Sequence, residues 1–521
     1  MDSSPNLTPE PRVSADRSQP AKSNWADLLD WRIEQRDDTP LYESVCALLR
    51  DQILAGVIPP GSRLPSTRQL MGRLGVSRTT VVTAYAQLTA DGFVTCKVGS
   101  GTFVADSVLD GVADVGGLMG GDPSTMRPQH HDLSDRGQRY TDIDLDSLSL
   151  PNVAFNTGVV RIDGRSAAQW QNAVRQSLAV ESMQQGYAPP QGGEALRQEV
   201  ARYVCASRGV RCTADQIMLV AGSQQAIDLT IKVLLDPGAP VWVEDPGYPL
   251  TRYALQAAGM KVHAVPVDED GMQVSRGVEV CADARAVFVT PSHQYPLGVS
   301  LSIERRAQLL DWAERRRAWI VEDDYDSEFR YNGPSLPALQ GLDRHDRVVY
   351  IGSFSKVLQP GIRYGYMVVP MQLIKAFKIA RLLADRHSPV FLEHVLTNFM
   401  GRGHFVSHIR RMRGEYGLAR DVLVEMLSRR LGHALEVVKP NQGLHLIGYL
   451  KQGLSDQAVA REALKVGVVV RPISRLYVDP QRRRSGLMFG FAGFSEARMK
   501  TAVERLAVVL DEMTCGNKPL N

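Results

Sequence analysis

At 521 residues the chain is too long for one ordinary domain and has length enough to bury at least one large core. Its composition, 44% hydrophobic and 22% charged, is that of a globular protein. No apolar run approaches the roughly 18 residues of a membrane span, and the N-terminus lacks the apolar stretch of a signal peptide. The net charge of +3 is close to neutral, so any nucleic-acid footprint must be local.

Residues 1–37 open on a Ser-, Pro- and Asp-rich stretch and are expected to be disordered. Residues 38–106 form a compact patterned unit. Between Tyr42 and Leu54, Val45, Leu48, Leu49, Ile53 and Leu54 fall on one face of a helix. Gly56 ends it and Pro59-Pro60-Gly61 enforces a turn. Ser66 caps a second helix, Thr67 to Leu74, which Gly75 breaks; Ser77 caps a third, Arg78 to Asp91. Two helices joined by a short Gly turn make a helix-turn-helix, whose second helix enters the major groove of DNA. Its first turn is Ser77-Arg78-Thr79-Thr80. Hydroxyls and backbone N–H groups there suit phosphates, and Arg78 reaches a phosphate or a guanine edge. Phe93–Lys97 and Thr102–Val104 flank Val98-Gly99-Ser100-Gly101 as a small hairpin, the wing. From Arg63 to Lys97, five basic residues (Arg63, Arg68, Arg73, Arg78, Lys97) stand against Asp91, a local charge of +4.

The series Pro60-Gly61, Leu64-Pro65-Ser66, Arg68, Leu74-Gly75-Val76-Ser77-Arg78-Thr79-Thr80-Val81, Ala84-Tyr85, Leu88, Gly92 and Gly99-Ser100-Gly101-Thr102 resembles the GntR family of winged-helix regulators. The expected DNA-contacting set is Arg63, Ser66, Arg68, Ser77, Arg78, Thr79, Thr80, Gly99 and Gly101.

Residues 107–150 shift to Gly, Asp and Ser, with eight Asp and three Arg, and read as a flexible, acidic linker. From 151 to 515, apolar runs alternate with amphipathic stretches. Gln216–Val220, Pro240–Val243, Ala286–Thr290, Ala318–Val321 and Arg347–Ile351 imply a mostly parallel sheet flanked by helices. The six cysteines (46, 96, 205, 212, 281, 515) include no CxxC pair and read as reduced thiols of a cytoplasmic protein; Cys205 and Cys212 are taken as inert.

The strand Val348–Gly352 runs into Ser353-Phe354-Ser355-Lys356. A lysine at a strand end in a polar pocket forms a Schiff base with an aldehyde, as pyridoxal 5'-phosphate (PLP) requires. Ala318–Val321 ends in Glu322-Asp323-Asp324-Tyr325: a carboxylate there keeps a pyridine nitrogen protonated, and Tyr325 donates to the ring oxygen. Gly222-Ser223-Gln224-Gln225 follows a strand and opens a helix, a phosphate cradle to which Ser353 and Arg363 add a hydroxyl and a guanidinium. Tyr248, in Asp245-Pro246-Gly247-Tyr248-Pro249, is placed to stack on the cofactor.

The order GSQ, DPGY, PxxxxPxG, DDYDSEF and SFSKxxxPGxRxGY resembles the aspartate-aminotransferase fold, a seven-stranded sheet with active sites built from two chains, over residues 155–500. Nearly the whole chain after residue 38 is similar to the MocR/GabR subfamily of GntR regulators. The resemblance implies a multidomain homodimer: a winged helix-turn-helix joined to a C-terminal α/β fold-type-I domain. It implies PLP on Lys356 as the catalytic-type lysine, held by Ser223, Gln224, Tyr248, Tyr295, Asp323, Tyr325, Ser353, Ser355 and Arg363. Tyr187 falls where aminotransferases send a tyrosine to the neighbouring subunit's phosphate. Asp324 is the alternative to Asp323 as the ring-nitrogen partner.

Two departures stand out. The usual Asn-Pro-x-Gly turn is here Tyr295-Pro296-Leu297-Gly298, leaving His293 or Tyr295 to meet the ring oxygen. The late-strand arginine for a substrate carboxylate aligns with Met488, leaving Arg471 or Arg475 to supply the charge to an effector. Arg482-Arg483-Arg484 reads as a solvated loop. The expected function is a PLP-dependent, DNA-binding transcriptional regulator of amino-acid, amine or vitamin B6 metabolism. Its effector is an amine, an amino acid or PLP itself; no metal and no membrane are involved. The alternative is a working aminotransferase with a secondary DNA-binding arm.

Overall fold

The computed structural model describes residues 40–97, 99–105, 133–141, 143–144, 150–178, 186–333, 336–451 and 453–516. The expected disordered segment 1–37 and most of the expected linker lie outside these. The chain divides into two compact units between His131 and Asp132.

The first unit contains α1 (Leu41–Leu54), α2 (Thr67–Leu74), α3 (Arg78–Ala90) and the hairpin β1 (Val94–Lys97) and β2 (Gly101–Val104). Its core is one cluster in which Val45, Leu49 and Ile53 of α1 meet Leu70, Val81, Ala84 and Leu88, closed by Val94 and Val104 of the hairpin. The capping residues read from the sequence act as expected. Ser66 forms a capping box with Gln69, Gly75 closes α2 in the left-handed conformation (φ +67°), and Ser77 Oγ accepts from Thr80 N at 3.1 Å.

The second unit is built on a sheet of eight strands. They are β3 (Ile217–Val220), β4 (Pro240–Asp245), β5 (Lys261–Asp268), β6 (Gly271–Met272), β7 (Ala286–Val289), β8 (Trp319–Asp324), β9 (Val348–Ser353) and β10 (Gly365–Val368). Their order is β3-β10-β9-β8-β7-β4-β5-β6. Strands β4, β5, β7, β8 and β9 pair in parallel, β10 runs antiparallel between β9 and β3, and β6 is a two-residue edge added to the seven strands expected. Strand β7, inside the sheet, and β3, at its edge, are both buried throughout, as a sheet covered on both faces requires. The parallel strands end on one side, and β8 and β9 deliver Asp323 and Ser353 there, where ligands of open α/β sheets bind. A second sheet holds β11 (Leu435–Val438), β12 (His445–Leu450), β13 (Arg471–Pro472) and β14 (Gly486–Gly490), in the order β11-β12-β14-β13.

The linker expectation needs correction at its C-terminal part. Residues Asp135–Thr141 form a helix, α4, in the second unit. Ser134 Oγ accepts from Gly137 N at 3.1 Å, Asp135 sits in the first turn and Arg139 in the last, so both ends of the helix dipole meet the favourable charge. Composition averaged over 44 residues hides this short capped segment. Cys205 and Cys212 are free thiols with sulfurs 3.9 Å apart.

Candidate functional site

In the winged-helix unit the recognition turn is presented to solvent. Arg68, Ser77, Arg78 and Thr79 are exposed, as are Arg63, Ser66, Gly99 and Gly101, while Thr80 is half-buried. The Ser77 and Thr80 hydroxyls lie 2.8 Å apart, so together they fix the start of α3. Tyr85 Oη donates to Pro65 O at 2.6 Å, tying α3 to the turn before α2. Arg63 lies against the wing: a Cβ on Gly101, whose φ is +114°, would stand 2.9 Å from Arg63 Nε. Arg63 thus supports the hairpin as well as adding charge beside it.

In the larger unit, a cleft of about 850 Å³ opens at the strand ends of the main sheet. That is the size of a small-molecule site, for which roughly 300–1,000 Å³ is typical. Ser223, Gln224, Tyr248, Tyr295, Asp323, Tyr325, Ser353, Ser355, Lys356, Arg363, Arg471 and Arg475 all line it. Tyr187 does not. It is 78% exposed, with the Arg386 guanidinium 3.6 Å from its ring centroid.

Lys356 is half-buried, and its Nζ donates to Thr157 O at 2.9 Å. Burial pulls the amine down to about 8; Asp326 opposes this and Arg471 adds to it. Asp323 accepts no hydrogen bond among the described residues, and its Oδ1 is buried without a partner. Burial first, then Asp324 and Asp326, raises its carboxyl to about 7. Asp324 lies outside the cleft, with its Oδ2 accepting from Arg208 Nε and Tyr350 Oη, each at 2.8 Å.

Tyr325 Oη lies 3.0 Å from His293 Nδ1, which is also 2.7 Å from Asp326 Oδ1. His293 therefore sits behind Tyr325 and is not itself among the cleft residues, whereas Tyr295 is, its ring 5.3 Å from that of Tyr248. Of the two candidates for the missing asparagine, only Tyr295 faces the cleft. Met488 is fully buried, and across the β13–β14 ladder its partner is Arg471, whose Nε is buried without a partner. A positive charge thus sits on the strand adjacent to Met488.

Beside the cleft residue Ser223, Gly222 (φ +94°) starts the helix Ser223–Leu234, and Arg363, itself left-handed at φ +50°, donates to Ala221 O at 3.2 Å. Gln224 Nε2 and Ser355 Oγ are buried and unpartnered. A helix N-terminus, a guanidinium and free hydroxyl and amide groups at one end suit a phosphate. An orphaned carboxylate in the floor and an amine held near neutrality suit a pyridine nitrogen and an aldehyde. The donor set fits pyridoxal phosphate. Thr157, Asp326, His445, Gln457, Arg461 and Asp144 also line the cleft and were not singled out from the sequence; only Asp326, in the Asp-Asp-Tyr-Asp run, carried a local signal.

Comparison with known proteins agrees with both halves. Residues 41–104 match the family described as bacterial regulatory proteins, gntR family, and residues 152–506 match aminotransferase class I and II. The chain is 35% identical to the probable rhizopine catabolism regulatory protein MocR of Rhizobium meliloti, over 91% of this chain and 94% of that protein. It is 30% identical to the pyridoxine biosynthesis transcriptional regulator PdxR of Corynebacterium glutamicum, over 93% and 98%. Among solved structures, an archaeal alanine:glyoxylate aminotransferase superposes with a TM-score of 0.66 at 26% identity, covering 73% of this chain and 98% of that one. The chain belongs to the MocR-type transcriptional regulators, in which a gntR-family DNA-binding unit is fused to a class I and II aminotransferase domain.

Proposed function

We propose that this regulator senses an amine in the cleft around Lys356 and answers by changing how a dimer holds operator DNA. The observation that carries the reading is the pairing, in one chain, of an exposed recognition turn at Arg78 with a lysine that burial holds near neutrality. Pyridoxal phosphate, when bound, supplies an aldehyde for amine capture and an electron-poor ring. Ser223, Gln224, Ser353, Ser355 and Arg363 would hold its phosphate and Asp323 its ring nitrogen. Tyr325, with His293 and Asp326 behind it, would hold a proton at the ring oxygen, and Tyr248 and Tyr295 would wall the ring. Lys356 would meet the aldehyde with an amine that burial holds down to about 8. Tyr187, exposed on this chain, would reach the partner subunit's phosphate.

Arg471 and Arg475 give an effector carboxylate two places to bind. An effector shifts the DNA-binding equilibrium only as far as it favours one dimer arrangement over the other. The regulator works where its operator is, in the cytoplasm. Relatives named for rhizopine catabolism and pyridoxine biosynthesis make an amine or a B6 vitamer the first candidates. An absorbance titration of the PLP-loaded protein with a panel of amines tests this: at least one shifts the cofactor band and, at the same concentration, changes operator binding. Lys356, Asp323 and Tyr325 together also favour a second reading, a working aminotransferase, which sustained keto-acid production would reveal.

A further inference from the structure

We propose that Arg475 and Arg461 form a carboxylate subsite at the mouth of the cleft, and that Asp144 of the inter-domain segment occupies it until an anionic effector takes its place. The proposal rests on the reading of the cleft as the effector site.

The helix Asp456–Lys465 turns Gln457, Ala460, Arg461 and Leu464 into the cleft, the spacing of one helical face. Arg475 Nε donates to Gln457 Oε1 at 3.2 Å, which leaves the far side of the guanidinium for an anion. The anion it meets is Asp144, with Oδ2 at 3.6 Å from Nη1. Arg461 reaches no carboxylate among the described residues. Of these two arginines only Arg475 meets an acid among the described residues, and a carboxylate brought by a ligand is the partner that Arg461 lacks.

The pair is also displaceable. Asp144 and Arg475 have side chains 60% and 47% exposed, and ion pairs this open change an equilibrium by no more than about five-fold. A ligand carboxylate that gains both arginines competes with the one carboxylate that Arg475 meets at 3.6 Å. The ligand class follows: an amine that reaches Lys356 with one end and carries a carboxylate at the other.

Displacement is felt beyond the cleft because of where Asp144 lies in the chain. It follows α4, whose Arg139 covers Gly259: a Cβ there would stand 2.9 Å from the guanidinium. Gly259 closes the helix Pro249–Ala257, and Tyr248, Pro249 and Tyr253, from the start of that helix, line the same cleft. Leu150 lines it as well. Arg139, Asp144 and Leu150, the described residues on this side of the winged helix in sequence, thus lie along the rim of the effector site, with Asp144 as the charged clasp.

The test uses full-length, PLP-loaded protein, with hydrogen exchange of the 133–141 amides and the cofactor absorbance as readouts. The probes are 5-aminopentanoate and pentylamine, which differ in the carboxylate. Asp144→Asn alone should speed exchange of 133–141 by up to about five-fold. In the wild type 5-aminopentanoate should do the same and pentylamine should not. Asp144→Asn should lower, and Arg475→Gln raise, the 5-aminopentanoate concentration that shifts the absorbance. Unchanged exchange in Asp144→Asn overturns the clasp. Equal potency of the two amines, unaffected by Arg475→Gln, overturns the carboxylate subsite while leaving the cleft as an amine site. An absorbance indifferent to both amines overturns the effector reading and the proposal with it.

Discussion

Asp323 and Asp324 are consecutive on β8 and do opposite work: Asp323 faces the cleft with no hydrogen bond from the described residues, while Asp324 is locked by Arg208 and Tyr350 at 2.8 Å each. Alternation along a strand produces the split. Asp323→Asn should therefore weaken cofactor retention and leave the fold intact. Asp324→Ala should leave the buried Arg208 guanidinium without its carboxylate, a loss of about 3–5 kcal/mol. Thermal melting beside the cofactor absorbance separates the two; a strongly destabilised Asp323→Asn would reverse the assignment.

Asp323 also sets a pH dependence of the cofactor-free protein. Burial raises its carboxyl to about 7 in the folded state, from an ordinary 3.8. The folded chain then binds more protons than the unfolded chain between those values, so this group's contribution to stability falls as pH rises from about 4 to 7. The slope is at most about 1.4 kcal/mol per pH unit. Denaturant titrations from pH 5 to 8 should show wild type losing stability relative to Asp323→Asn; parallel curves would show that the carboxyl is not perturbed.

Lys356 is depressed to about 8, so the free amine that attacks an aldehyde is half formed there. The rate of PLP incorporation, followed by stopped-flow absorbance from pH 6 to 10, should rise to a plateau with a midpoint near 8. A rate still climbing tenfold per unit through pH 9–10 would mean an unperturbed lysine. Lys356→Ala should abolish the borohydride-reducible adduct without unfolding the protein, and an adduct on any other lysine would contradict the site.

Most of this site was legible in the sequence because each element announces itself locally: a strand, a turn, then a polar residue at the strand end. Lys356, Ser353, Asp323 and Ser223 all follow that grammar. The choice between Asp323 and Asp324 was not legible, since a run of acids on a strand does not say which face meets the pocket. The difference between His293 and Tyr295 depended on packing against Tyr325 and Asp326, which are distant in sequence from the Tyr295-Pro296 turn. Asp144 and α4 were hidden by a composition that reads as linker. Their place depends on Gly259 and Arg475, over a hundred residues away.

For the DNA-binding unit, Arg78→Ala should weaken operator binding by about 1–3 kcal/mol with relaxed specificity at one base if Arg78 reads a guanine. A uniform loss across sequences would make it a phosphate contact. Ser77→Ala should cost about 1 kcal/mol of stability through the lost cap, measurable by melting of this unit.

The central claim is that one molecule couples the chemistry at Lys356 to DNA. It is tested most directly by titrating a fluorescent operator fragment, selected from genomic DNA by binding, with PLP-loaded protein at rising concentrations of an amine that shifts the cofactor band. The account predicts that operator affinity or footprint changes with the same midpoint as the absorbance, and that Lys356→Ala loses the amine response while still binding DNA. An absorbance change that runs to completion with operator binding unaltered would contradict it.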